Sequence, residues 1–258
     1  FLIGAGLAVA LSFIFISVLV KIRADASYWR LNLIGPYWIK KTLTSPITFL
    51  PVKLLSVLLL GLVIATGFGG ESNPLLNFNP TFIWIIWWVG MAIGVALIGN
   101  IWALANPWKI IFSWSEGLYR IMRPGRELSL RRQYPAKCGI WPALFLFVLY
   151  TWVQDAYPNS DVPAQIAYMA VVYTVITFGG MFVFGKHEWL RKGEAFSVVF
   201  SLLSRFSATE IRVIDRDTCQ KCSSECLDLK RECVDCYECF ERANNREINL
   251  RPFAIGLD

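Results

Sequence analysis

Six of the seven cysteines lie in one short run, CQKCSSECLDLKRECVDCYEC, between Cys219 and Cys239. Their spacing is C-x2-C-x3-C-x6-C-x2-C-x2-C. Cys219, Cys222, Cys233 and Cys236 make two CxxC knuckles a short loop apart. Such a pair can close a tetrahedral thiolate cage around zinc, with Zn–S bonds of about 2.3 Å. Cys226 and Cys239 are then spare, or additional, ligands. Two other chemistries stay open. Cys233, Cys236 and Cys239 form CxxCxxC, which suits an iron–sulfur cluster, but the x3-C-P continuation of the ferredoxin run is missing because Ala243 stands there. In an oxidising compartment the six thiols would instead form disulfides. The run is rich in Lys, Arg, Asp and Glu, so it cannot build an apolar core of its own. It needs a staple, and bound metal supplies that folding free energy.

The other chemistry-bearing residues are few. His187 is the sole histidine. One histidine cannot make a bis-histidine haem, so no haem is expected from this chain alone. Beside Lys186 and Glu188, it reads more simply as a solvated interfacial residue. A two-metal hydrolase gathers several His and carboxylate side chains, and that constellation is not visible. No nucleotide-binding or nucleic-acid motif is present.

The elements that must position the cysteines belong to a membrane protein. The chain has 258 residues, 55% of them hydrophobic and 17% charged. Its mean hydropathy is +0.48. An ordinary soluble domain carries about a quarter charged residues. Five apolar stretches read as spans, at about 1–20, 54–68, 80–105, 138–153 and 164–184. The third, NPTFIWIIWWVGMAIGVALIGNIWALA, places Trp84, Trp87, Trp88 and Trp102 in its outer thirds, where amphipathic rings favour the headgroup level. Gly90, Gly94 and Gly99 make a small-residue face on which another helix can pack closely. No charged residue lies inside the spans, which disfavours an ion or proton pathway.

The charges between spans set an orientation. Segments 21–53 and 107–137 are basic, whereas 71–79 and 155–163 hold acids and neither Lys nor Arg. This alternation puts the basic segments, and everything after Gly185, in the cytoplasm. The net charge of +6 follows from that rule and does not argue for nucleic acid. Ile110–Met122 has helical apolar spacing suited to a surface helix. Residues 186–211 read as one amphipathic helix in the interface, with a short re-entrant helix as the alternative. Residues 212–252 form the cysteine-rich cytoplasmic loop, and 253–258 open a further segment. The absence of an initial Met suggests a piece of a longer chain.

NPTFIWIIWWVG, LANPWK, GIWPALFLFV and FGKHEWLRKGEAFSVVFSLLSRFS together resemble the multi-pass membrane proteins called fenitrothion hydrolases. The most specific parts are Asn106-Pro107-Trp108 and the run opened by Gly193-Glu194-Ala195-Phe196. The resemblance implies an organophosphate-ester hydrolase with further spans. It carries no catalytic residue onto this sequence. The cysteine run departs from the family pattern, where this linker is shorter and poor in cysteine.

The expectation is therefore an all-α polytopic bundle in the cytoplasmic membrane, with interfacial helices and a zinc-binding cysteine loop. Its partners are the lipid bilayer and other membrane subunits. Its function is that of an accessory or structural subunit. The alternatives are the hydrolase and a redox or metal-handling protein.

Overall fold

The computed structural model describes residues 28–35, 41, 48–219, 232–243 and 245–257. The expected first span, 1–20, lies outside them, as do Cys222 and Cys226. Four described helices are long and apolar enough to cross a membrane: Leu50–Gly69, Phe78–Leu97, Ala136–Ala156 and Pro163–Phe184. They are α1 (Leu50–Gly69), α2 (Phe78–Leu97), α5 (Trp141–Ala156, entered through a 3-10 turn at Ala136–Cys138) and α6 (Pro163–Phe184). Proline opens α1, α5 and α6 at the first turn, where its missing N–H costs nothing.

The third expected span is corrected at its end. The helix stops at Leu97 rather than Ala105, and the chain turns through Gly99. A one-turn helix α3 (Trp102–Ala105) follows. Asn106 then caps α4 (Pro107–Met122), its side chain accepting from Lys109 N at 3.0 Å. Within α2, Phe82–Val89 is π-helical. The wider turn lets the adjacent Trp87 and Trp88 both face the ring cluster around Phe196 and Phe200.

Residues 186–211 are not one interfacial helix. After α6, Gly185 adopts φ +91°, a conformation glycine tolerates and that ends the helix. The short α7 (Lys186–Lys192) closes with Gly193 N donating to Trp189 O at 2.7 Å. Helix α8 (Ala195–Leu203) then dives into the bundle, with Phe200 fully buried and Phe196 nearly so. Its apolar spacing was visible, but that period marks a face against protein as readily as one against lipid.

An antiparallel sheet of four strands is the second departure from an all-α chain. The strands are β1 (Leu31–Asn32), β2 (Thr209–Val213), β3 (Cys233–Val234) and β4 (Arg246–Leu250), in the order β1-β4-β2-β3. Among its described residues, the expected cysteine loop thus holds strands and two short helices, α9 (Arg216–Cys219) and α10 (Tyr237–Arg242). The TEIRV alternation of β2 buries both faces. Glu210, fully buried, accepts from Tyr28 OH at 2.7 Å and stands 3.5 Å from Arg251. Arg212 pairs with Glu210 and Glu232, and Arg251 reaches Asp235 at 3.0 Å. Buried charges survive only when paired in this way.

The bundle has two distinct ends. At one, Asn79 donates to Val63 O and Pro163 O, and Trp84 donates to Ser160 O. This end collects the acidic segments. At the other, Lys186 meets Glu116, Leu130 N donates to Phe182 O and Ala208 N donates to Leu97 O. The basic segment 107–137, residues 28–35 of the other basic segment and the sheet gather there.

Candidate functional site

Glu194 is the only fully buried carboxylate on the helical side of the molecule among the described residues. It caps α8, and its oxygens accept from Phe196 N at 3.1 Å and Ser197 N at 2.7 Å. Tyr173 OH, from α6, donates to it as well. Asn106 Nδ2 lies 3.5 Å from its second oxygen and 3.2 Å from Ser197 Oγ. Burial pushes this carboxyl above its ordinary range, against the donors that pull it down. The two most specific segments of the sequence, around Asn106-Pro107-Trp108 and Gly193-Glu194-Ala195-Phe196, therefore meet in space. Trp108 completes the contact, donating to Thr174 at 2.8 Å and packing edge-on against Tyr173. Sequence reasoning missed this centre because Glu194 falls between spans. The available signal was an acid opening an otherwise apolar helix.

The cysteines form a second centre at the sheet end. Cys233 and Cys239 are buried, with sulfur atoms 3.6 Å apart. Val213, Ala243, Cys236 and Phe240 pack around them. That separation is far beyond a disulfide bond of about 2.05 Å. Among the described residues, no three His, Cys, Asp or Glu side chains converge at metal-binding distance. Cys219 ends α9, which packs against α10. Cys222 and Cys226 lie outside the described residues. The spacing argument made Cys239 spare, yet here it is the thiol beside Cys233.

Helix α10 docks this knob onto the bundle. Glu241 pairs with Lys109 at 2.7 Å, and Lys109 also donates to Ala103 O. His187 Nδ1 stands 3.4 Å from Glu238. Burial first, then the charges of Lys186 and Arg242, lower the His187 pKa to about 3, so the ring is neutral at pH 7. It is a docking residue rather than a solvated one.

The glycines divide. Gly90 is exposed, and a Cβ there would meet only Ile85 O of its own helix, at 4.0 Å. At Gly94 the neighbour is Ile101, at 3.5 Å. Gly99 sits in the turn against Thr209. Close helix contacts at glycine lie instead at Gly67, where α1 meets α6, and at Gly180 of α6, against Trp189 of α7.

The class these features define is a membrane-embedded helical protein with a small antiparallel sheet at one end. No family model, curated protein or solved structure matches the chain.

Proposed function

We propose that this chain is an accessory subunit of a membrane complex, and that its cysteine knob is stapled by one thiolate-bound zinc ion on the cytoplasmic side. The observation that carries this is the Cys233–Cys239 sulfur separation of 3.6 Å in a buried setting. Two thiolates sharing a zinc ion with bonds of about 2.3 Å stand about 3.8 Å apart along a tetrahedral edge. The remaining ligands come from Cys219, Cys222, Cys226 and Cys236. The cytoplasmic assignment rests on the alternation of basic and acidic segments along the sequence and on the basic segment 107–137 lying at the sheet end. A partner helix has a place to bind, because Gly90, Ile93, Gly94 and Leu97 fall on one open face of α2.

Elemental analysis of anaerobically purified protein tests the metal. About one zinc per chain is expected, lost in both Cys233→Ser and Cys239→Ser. A metal-free knob that resists proteolysis would sink the proposal, as would a thiol titration that finds few free cysteines. A redox role for the thiols is the second reading. It draws on the CxxCxxC spacing of Cys233, Cys236 and Cys239. Brown protein containing iron and sulfide would select it. The hydrolase reading draws on the sequence resemblance alone.

A further inference from the structure

The sheet has one charged face and one apolar face. Strand pairing aligns Leu31 with Leu250 and Leu250 with Thr209, so these three side chains stand on the same side. Leu33 N donates to Ile248 O two residues further on, which puts Leu33 on that side as well. The alternate residues Glu210, Asn249, Asn32 and Arg30 take the other side, where Arg30 stands 3.9 Å from Glu210.

Thr209 shows which way the apolar face looks. Its hydroxyl donates to Ile98 O, and Ala208 N donates to Leu97 O, both at the end of the α2 span. The last carbonyls of a helix point out of its end along the axis. Thr209 therefore lies beyond α2, and the face that carries it looks back toward the membrane. Two strand spacings of about 4.8 Å put Leu31 roughly 10 Å to the side of Thr209. Two steps of sheet twist rotate β1 by about 40–50°, so its side chains still look toward the membrane. Over β2 and β3 this face is covered by α10, where Val213 packs with Cys239 and Ala243. At β1 it emerges past the bundle: Trp29 is 60% and Leu31 56% exposed, and Leu33 is exposed with them.

We propose that Trp29, Leu31 and Leu33 rest in the boundary between phospholipid headgroups and acyl chains, so that the sheet lies flat on the membrane beside the spans. Lipid is the occupant because it already surrounds the helix end to which the sheet is bonded, where Leu97 and Ile98 are themselves exposed. An apolar strip backed by a charged face suits such a place, since elements lying in the interface bury their apolar side about 5–10 Å deep. Tryptophan favours the same level. The proposal rests on the membrane-embedded class alone and is independent of any metal in the knob.

The test puts the photoreactive residue p-benzoylphenylalanine at Leu31, at Leu33 or, facing the other way, at Asn32. The full chain is reconstituted in nanodiscs of palmitoyl-oleoyl phosphatidylcholine, irradiated and weighed intact by mass spectrometry. Addition of one phospholipid is expected at Leu31 and Leu33, roughly fivefold more than at Asn32, because successive side chains point to opposite faces. Should the Leu31 variant fail to fold, the Leu33 variant carries the test. Equal lipid addition at Leu31 and Asn32, or none at either leucine, would overturn the proposal by placing this face in water. A crosslinked pair of chains would overturn it in favour of a second copy, and a crosslink within one chain in favour of another segment of this protein.

Discussion

Glu194 joins three parts of the chain through one carboxylate: the start of α8, Tyr173 on α6 and Asn106 before α4. Replacing it by leucine removes an N-cap, a loss of about 1 kcal/mol. It also orphans the Tyr173 hydroxyl, at about 1–3 kcal/mol, whereas the Asn106 amide keeps Ser197 Oγ as its acceptor. Glu194→Leu should therefore lower the melting temperature in detergent by many degrees. Glu194→Gln keeps an acceptor oxygen and should lose much less. Equal losses would mean that packing, not capping, is what Glu194 provides. His187 titrates at the other end of the same region. Its unfolded pKa is about 6.5, its folded pKa about 3. Its contribution is complete above about pH 6.5. Below that the unfolded chain binds a proton that the folded chain excludes, so stability falls with pH. Melting temperatures between pH 7 and pH 5 should decline, and His187→Gln should flatten that decline.

Helix contacts depend on where glycine sits, not on how many there are. A Cβ at Gly67 would fall onto the Ala167 methyl, 2.7 Å from Pro163 O and 2.8 Å from Asn79 Nδ2. Gly67→Ala must push α1 away from α6, at a cost of about 1–3 kcal/mol. Gly61, on the same helix, has nothing within 4 Å. Gly61→Ala should be neutral or stabilising by up to about 1 kcal/mol, from helix propensity. Thermal unfolding of the two variants compares them directly, and similar midpoints would show that the α1–α6 contact yields without strain. The Gly90–Gly94 face differs from both: Ile101 already touches it at Gly94, and the exposed remainder around Gly90 and Ile93 is left for a partner. Gly94→Leu should leave the isolated chain as stable as before and weaken its co-purification with membrane partners.

For the whole molecule, the two ends make a topology experiment specific. Asn159 is exposed at the acidic end, beside the Ser160 carbonyl that Trp84 holds. A cysteine introduced by Asn159→Cys should react with a membrane-impermeant maleimide in intact cells. The native cysteines of the knob should stay unlabelled in intact cells and react only after permeabilisation together with a chelator and denaturant. The opposite pattern would invert the orientation and turn the thiols toward disulfides.

The sequence alone determined the membrane class, because about twenty successive apolar residues leave few alternatives to a spanning helix. It also separated the acidic from the basic segments, since charge is read without coordinates. Three of the four long apolar helices stand close to where hydropathy put spans, the other stops at Leu97 rather than Ala105, and Ile110–Met122 is helical as its period required. Tertiary structure decided what local patterns cannot. Glu210 and Arg212 look solvated within TEIRV, and only the approach of Arg251, Tyr28 and Asp235 makes their burial tolerable. The apolar face of α8 could have met lipid or protein, and the break at Gly193 with the cap at Glu194 turned it inward. Cys239 looked spare by spacing, yet pairing of β3 with β2 and the turn into α10 bring its sulfur to Cys233. Spacing measures distance along the chain, and ligands, caps and cavities are set by distance across it.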